Sequence, residues 1–392
     1  MRTEGDFIKI NEWLLPLSWL YGLGVRFRNQ LFEMGILKET PFDIPIISVG
    51  NITVGGTGKT PHVEYLIRLL KDIMQVGVLS RGFKRMSHGF VLADEESTAS
   101  SIGDEPYQMK KKFPEVIVAV DKNRRQGIQR LLTDTVTNSV DVILLDDAYQ
   151  HRYVKPGINI LLVDYHRFIM NDKLLPAGRL REHVSGKDRA DIVIVTKCPN
   201  DLKPMEFRVL TKNMDLYPFQ SLFFTSLEYC DLQPIFGKGS LPLDSLADKN
   251  VLLLTGIASP QQLKTDLLTK CKSIFQMTFS DHHQFTQSDI EKLNEKFSQL
   301  EANKIIITTE KDAARLVSAE LLTDEVKKAI YQLPIKINFL LGSEEEFNHK
   351  IISYVRKNSR NSILVKGKND NKSKNSHHSG NRPGTISFRN NR

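Results

Sequence analysis

The sequence predicts an α/β protein whose main domain is a mostly parallel sheet with helices on both faces, followed by a second, smaller α/β domain. Three observations predict it. Short apolar runs of β type alternate with helical patterns between residues 44 and 145, a glycine-rich turn joins the first run to the first helix, and the alternation starts afresh after residue 250. Strands interleaved with helices form βαβ units, which set parallel strands side by side and cover both faces of the sheet.

The first element carries the chemistry. Residues 44–60 read I-P-I-I-S-V-G-N-I-T-V-G-G-T-G-K-T, an apolar strand, a turn, and Lys-Thr opening a helix. Glycines at 55, 56 and 58 let backbone N–H groups curl around phosphate oxygens, Lys59 reaches the β- and γ-phosphates, and Thr60 offers a hydroxyl to Mg²⁺. The nucleotide-binding stretch is Thr53, Val54, Gly55, Gly56, Thr57, Gly58, Lys59 and Thr60, with Thr53 where the usual G-x4-G-K-[ST] spacing has its first glycine. Pro61 at the helix start, with Val63, Leu66, Leu69 and Leu70 behind it, supplies the helix whose dipole points at the phosphates. The main domain is therefore P-loop NTPase-like.

Apolar runs at 76–80, 89–93, 116–120 and 140–145 are predicted strands, with helices near 106–113 and 124–132 between them. The run V-D-V-I-L-L-D-D, ending in Asp146 and Asp147, fits a Walker B strand that delivers a carboxylate to the sheet edge beside the P-loop, where it can hold Mg²⁺. Adjacent carboxylates leave a regular strand on opposite sides, so the two take separate roles and Asp146 is assigned to the metal. Strands follow at 158–163, 192–195 and 222–224. A second set at 251–254, 273–278 and 304–308, with a helix at 288–300, makes the smaller domain, joined near 241–249.

Other polar residues sit where such a sheet binds ligands. Asp104 and Glu105 lie in S-I-G-D-E-P; Asp104 on a βα loop can activate an attacking hydroxyl, yet Asp before Glu-Pro is also a good helix N-cap, and the local pattern by itself favours the cap. Asp281, His282 and His283 follow a predicted strand of the second domain but lack a third spaced ligand for zinc. Arg81, Arg124, Arg179 and Arg181, with Lys197 and Lys311, stand just past strands or at helix starts and suit an anionic site.

The net charge of +8 suggests nucleic acid or membrane until it is apportioned. From residue 356 to the end there are ten Lys or Arg against the single acid Asp370, so residues 1–355 hold 44 basic against 45 acidic side chains and are nearly neutral. The tail, rich in Asn, Ser, Lys and Gly, reads as a disordered extension, and no nucleic-acid partner is expected. Cys198, Cys230 and Cys271 are odd in number and lack metal-ligand spacing, as in a reduced cytosolic protein. Mixed charges at Arg2, Glu4, Asp6 and Lys9, without a small-residue cleavage site, argue against a secretory signal.

Residues 13–25, W-L-L-P-L-S-W-L-Y-G-L-G-V, are uncharged and precede Arg26 and Arg28. The stretch is too short to span a bilayer, which takes about 20 apolar residues, but both tryptophans of the chain, Trp13 and Trp19, fall in it beside Tyr21. That composition suits a helix lying in the membrane interface; a helix packed on its own domain shares the pattern, and the residues alone allow both. The expected organisation is an amphipathic membrane-associated segment at 1–38, a P-loop kinase domain at 39–240, an α/β domain at 250–355 and the basic tail at 356–392.

Taken together, V-G-N-I-T-V-G-G-T-G-K-T-P, L-S-R-G-F, G-D-E-P, L-L-D-D-A-Y-Q-H, L-P-A-G-R-L-R-E, F-S-D-H-H-Q-F and T-T-E-K-D-A resemble the tetraacyldisaccharide 4′-kinase family, in the family's order and over about residues 10 to 355. The resemblance implies transfer of a phosphate from ATP, with Mg²⁺, to the 4′-hydroxyl of a tetraacylated glucosamine disaccharide 1-phosphate, the lipid A precursor. It implies a peripheral enzyme on the cytoplasmic face of the inner membrane, held by an N-terminal helix matching residues 13–31, with no obligate protein partner. Carried across by position, it implies Asp104 as catalytic base supported by His282, metal-side positions for Asp146 and Asp147, and a nucleotide or metal contact for Glu182. Arg81, Glu105, Arg124, Asp147, Arg181 and His283 are expected substrate or phosphate contacts. Ala148-Tyr149 stand where the family has Gly-Phe, and Ser280 where proline is frequent.

Other P-loop proteins fit less well. Partitioning ATPases and nucleotide switches of the G-G-x-G-K-T type carry a lysine before the paired glycines, a position held here by Val54. A GTPase would show N-K-x-D, whereas residues 196–199 are T-K-C-P. A soluble small-molecule kinase would have no use for the aromatic N-terminal segment.

Overall fold

The computed structural model describes residues 10–137, 139–257, 260–317 and 321–359. After the N-terminal helix α1 (Leu15–Glu33), the chain alternates as expected: β1 (Ile46–Gly50), α2 (Lys59–Leu70), β2 (Val76–Ser80), β3 (Val91–Leu92), α3 (Ala99–Ile102), α4 (Asp104–Lys112), β4 (Ile117–Val120), α5 (Arg124–Thr133), β5 (Val142–Asp146), β6 (Ile158–Asp164), β7 (Ile192–Thr196), α6 (Pro204–Met214) and β8 (Ser221–Tyr229). The second unit holds β9 (Gln233–Pro234), β10 (Asn250–Thr255), α7 (Pro260–Leu268), β11 (Ser273–Thr278), α8 (Gln287–Gln299), β12 (Lys304–Thr309), α9 (Glu310–Leu316), α10 (Asp324–Ala329) and β13 (Ile330–Leu333). Last come β14 (Ile335–Phe339) and α11 (Glu344–Asn358).

Nine strands form the main sheet in the order β14-β8-β7-β6-β1-β5-β2-β4-β3, parallel except at its edges, where β3 and β14 run antiparallel to their neighbours. Every residue of β1, β2, β5 and β7 is buried, the signature of a parallel sheet covered on both faces. Val49, Val78, Leu144 and Ile194 pack one face against α2, α4 and α11, while Ile46, Leu79, Ile143 and Leu145 pack the other against α5. Five strands form the smaller sheet, β11-β10-β12-β13-β9.

The sheets divide the chain differently from the expected boundaries. β14 returns to pair with β8, Phe339 opposite Thr225, and Phe347, Ile351 and Val355 of α11 join the core of the main sheet. Residues 335–358 therefore sit with the first domain, not the second. Local alternation cannot show this, because an edge strand is fixed by a partner more than a hundred residues away. Residues 356–358, expected in the tail, finish α11; the tail from 360 onward lies outside the described residues.

α1 lies on the main domain by a polar seam. Ser18 Oγ donates to the Leu174 carbonyl at 3.0 Å and accepts from the Ala177 amide at 2.8 Å, Tyr21 Oη donates to the Arg181 carbonyl at 2.7 Å, and Arg28 donates to the Gln150 carbonyl at 3.0 Å. Within the helix only Ser18 and Phe32 are buried. Phe32 packs on the Tyr153 ring at 5.1 Å, but most of the helix's apolar residues point outward, Trp19 being 68% and Phe27 62% exposed, with Trp13 before it at 93%. A surface helix normally turns its apolar stripe to the core, and this one is inverted. Among the described residues no helix is long and apolar enough to cross a membrane.

Candidate active site

The P-loop forms where β1 gives way to α2. Gly55 (φ 121°) and Gly58 (φ 80°) take left-handed conformations that a Cβ would oppose. Gly58 is also the N-cap of α2, so no side chain caps the helix and its first amides remain available to an anion. The loop is braced from all sides. Asn51 Nδ2 donates to Thr57 Oγ1 at 2.8 Å, Thr196 Oγ1 donates to the Thr57 carbonyl at 3.0 Å, and Lys197 bonds the Gly56 carbonyl and, at 2.7 Å, Asp164. The segment at 179–181 pairs with the loop's lip: the Val54 amide donates to the Arg179 carbonyl at 2.8 Å and the Arg181 amide to the Ile52 carbonyl at 2.7 Å. Thr53 faces Leu180 in this bridge, which gives a threonine the place of the usual glycine without loss.

Pairing of β1 with β5 sets Val49 opposite Asp146, at the exit of β1 into the loop. Asp146 is buried; its Oδ2 accepts from Ser80 Oγ at 2.9 Å, and its Oδ1 has no hydrogen-bond partner among the described residues. Burial, then repulsion from Asp147 and Glu105, pushes this carboxyl up to about 6. Asp147 follows with φ 46°, which swings its carboxylate to Lys59 Nζ at 3.6 Å and Arg181 at 3.3 Å. Burial would raise Asp147, but Lys59 and Arg181 outweigh it and hold it below the usual range. The backbone turn thus falls on Asp147, so Ala148 in place of glycine needs no unusual φ.

Asp104 is the first residue of α4, behind Gly103 at the N-cap with φ 97° and no side-chain cap. Its carboxylate leaves its own helix for the second domain. Oδ2 accepts from His282 Nδ1 at 2.9 Å and from Arg315 at 2.6 Å. Burial alone would raise this carboxyl; the bonds from His282 and Arg315 and the arginine's charge prevail and hold it at about 2. An ionised carboxylate only accepts, so His282 carries its hydrogen on Nδ1, while its Nε2 lies 3.8 Å from Asp281 Oδ2 and the residue lines the cleft. Glu105, next in line, pairs with Lys311 Nζ at 2.5 Å. His282 (φ 59°) also meets the Phe83 ring edge-on at 5.1 Å.

A cleft of about 2140 Å³ is lined by the P-loop, Ser80, Arg81, Phe83, Glu105, Asp146, Asp147, Arg181, His282 and Lys311, with Tyr21, Val25 and Arg28 of α1 along one wall; Asp104 is buried behind this lining, in contact with His282. A single drug-sized ligand needs about 300–1,000 Å³, so there is room for a nucleotide and a large acceptor together.

Two expected contacts, Arg124 and His283, do not line the cleft. Arg124 is buried and donates to the carbonyls of Asp121, Lys122 and Asp146, bracing the end of β5; burial lowers it to about 10. His283 bonds Asp289 at 2.9 Å and stacks on Phe279, fixing the start of α8. Glu182 lines the cleft, its two carboxylate oxygens braced by Arg189 at 2.7 Å and Gln150 at 3.0 Å. Sequence reasoning missed Arg315 and Asp312, whose i,i+3 spacing on α9 was the available signal, and His62, which braces Gly58 and Thr225 while burial lowers it to about 4.

Comparison with known proteins identifies the family and the fold. The family model described as Tetraacyldisaccharide-1-P 4′-kinase matches residues 10–356. The tetraacyldisaccharide 4′-kinase of Phocaeicola vulgatus is 57% identical, covering 92% of this chain and 99% of the relative, and that of Bacteroides thetaiotaomicron is 52% identical, covering 93% and 99%. A crystal structure of LpxK from Aquifex aeolicus in complex with ATP superimposes with a TM-score of 0.68 at 32% identity, over 88% of this chain and 98% of that one.

Proposed function

This chain belongs to the tetraacyldisaccharide 4′-kinase family, and from that premise we propose how its residues divide the work of the reaction. The enzyme uses ATP to phosphorylate the 4′-hydroxyl of tetraacyldisaccharide 1-phosphate in lipid A biosynthesis. Phosphoryl transfer asks for positioning and charge neutralisation more than covalent help. The amides of Gly55 to Thr60 and the Lys59 ammonium cradle the β- and γ-phosphates of ATP. Asp147, between Lys59 and Arg181, aims those two cations at the phosphates.

The donor set fits Mg²⁺. Asp146 presents a buried Oδ1 without a partner, and Thr60 has its hydroxyl at the start of α2, lining the same cleft. When bound with ATP, Mg²⁺ would neutralise charge on the phosphate oxygens. Glu182, held by Arg189 and Gln150, lines the same cleft.

The 4′-hydroxyl loses its proton to the Asp104–His282 pair, and this pair is the observation that carries the proposal. Asp104 supplies the negative charge and His282 the imidazole that lines the cleft. Domain assignment follows the same logic: the first domain binds the nucleotide and the second brings His282 to it.

Membrane attachment is peripheral, on the cytoplasmic face of the inner membrane where ATP is present. The inverted α1 supports it, since one side of this helix walls the cleft and the other presents apolar side chains. A single assay tests the assignment: ATP-dependent phosphate incorporation into tetraacyldisaccharide 1-phosphate in detergent micelles, with the Asp104→Asn variant beside the wild type. Wild-type turnover and its collapse in the variant are expected; undiminished turnover in Asp104→Asn would remove the base from the scheme.

A further inference from the structure

We propose that Arg315 is the positioning residue for the general base, an arginine of the second domain that sets the orientation and charge of Asp104 in the first. The inference rests on the reading of Asp104 and His282 as the proton-accepting pair. Arg315 lies near the end of α9 with its side chain almost wholly buried. One amino group of the guanidinium reaches Asp104 Oδ2 at 2.6 Å, and the other reaches Asp312 Oδ1 at 2.9 Å. Asp312 is itself fixed, its Oδ2 accepting from the Gly256 amide at 2.9 Å and from Thr309 Oγ1 at 2.8 Å. A planar fork pinned at one end by an immobile carboxylate holds its other end in a defined direction, which a flexible ammonium would not do.

Two other ion pairs, Glu105–Lys311 and Lys112–Glu310, already join α4 to α9, each at 2.5 Å. Holding the helices together therefore does not require Arg315. What sets it apart is its endpoint: it binds the same carboxylate oxygen that accepts the His282 hydrogen, and its amino group lies 3.5 Å from His282 Nδ1. A lone cation there would discourage a proton from arriving on the pair. Asp312 supplies the countercharge, so that Arg315 can orient Asp104 without repelling the incoming proton. Among the described residues, the charged and titratable groups around it include Asp104, Glu105 and, across from them, Asp281, His282, Lys311 and Asp312.

The test is steady-state kinetics with ATP, Mg²⁺ and tetraacyldisaccharide 1-phosphate in micelles, as a function of pH, for Arg315→Met, Arg315→Lys, Asp104→Asn and the double variant Asp104→Asn/Arg315→Met. Arg315→Met should lower kcat by roughly 10²-fold, the effect of a misplaced reacting group, with KM for ATP nearly unchanged. The acid limb of its kcat profile should move to higher pH, because the pair holds its proton more tightly once the cation is gone. Arg315→Lys should recover part of the loss, and the double variant should be no slower than Asp104→Asn. A kcat for Arg315→Met within about twofold of wild type, or losses that multiply in the double variant, would overturn the proposal. Should Arg315→Met not fold, Asp312→Asn decides: removing the countercharge should move the acid limb to lower pH, and an unmoved limb counts against the role. Asp104→Asn at the wild-type rate would sink the base reading and this inference with it, whereas a dead Asp104→Asn beside a normal Arg315→Met would sink this inference alone.

Discussion

Asp104, at the start of α4, and His282, in the loop between β11 and α8, are 178 positions apart in the chain, yet the imidazole Nδ1 lies 2.9 Å from the carboxylate Oδ2. A pair built across two domains acts as one unit, which gives it a kinetic signature. Asp104→Asn and His282→Ala should each lower kcat by roughly 10² to 10⁴, the usual range for general-base assistance, with small effects on KM for ATP. The double variant should be no worse than the poorer single one. Multiplying losses would mean that the two residues act separately.

Lys59 opens α2 at the end of the P-loop, and its Nζ already has a carboxylate partner in Asp147 at 3.6 Å. Lys59→Ala should abolish measurable turnover while leaving the melting temperature close to wild type, because the ammonium is partly exposed and its pairing adds little to stability. Near-normal ATP-dependent activity in a well-folded variant would break the phosphate-binding assignment.

Asp146 connects catalysis to stability with a definite sign. Its carboxyl, raised from 3.8 to about 6 in the folded protein, binds a proton more tightly than in the unfolded chain. Stability without metal therefore falls as pH rises from about 4 to about 6, and the full cost persists above that window. Asp146→Asn lacks this cost. The metal-free variant should be more stable than wild type at pH 8 by on the order of 1–3 kcal/mol, should lose that advantage toward pH 4, and should have almost no kinase activity. Thermal melts across this range would check it, and a variant less stable than wild type at pH 8 would show that the buried charge is not the source.

Why some of this was legible in the sequence and some was not follows from the range of the interactions. The strand, P-loop and helix from Ile46 to Leu70 are specified by neighbours in the chain, and so is the Walker B strand ending at Asp146. The return of Ile335–Phe339 to pair with Ser221–Tyr229 depends on a partner that local periodicity cannot see. By local pattern Asp104 reads more readily as a cap, because cap and base share that pattern; what separates them is Gly103 taking the N-cap and Arg315 arriving from another domain. Arg124 and Arg181 looked alike beside their strands, but burial and three carbonyls claim the first, while the second reaches the cleft.

The orientation of α1 yields the last prediction. Its seam with the main domain is made by Ser18, Tyr21, Arg28 and the buried Phe32, so the exposed aromatics Trp13, Trp19 and Phe27 do not hold it there. Replacing Trp13 and Trp19 by Ser should thus leave the fold intact and remove apolar area that a lipid surface would bury, at about 25 cal/mol per Å². Protein should move from the membrane pellet to the soluble fraction, and KM for micellar acceptor should rise more than KM for ATP. Salt should weaken binding only in part, since the exposed Arg26 adds roughly 1 kcal/mol near anionic lipid while Arg28 is held in the seam, and the apolar share is insensitive to screening. A control truncation of residues 360–392 distinguishes the two anchors: if that truncation releases the protein while the Trp13/Trp19 variant still sediments with vesicles, attachment belongs to the basic tail and the outward face of α1 has another use.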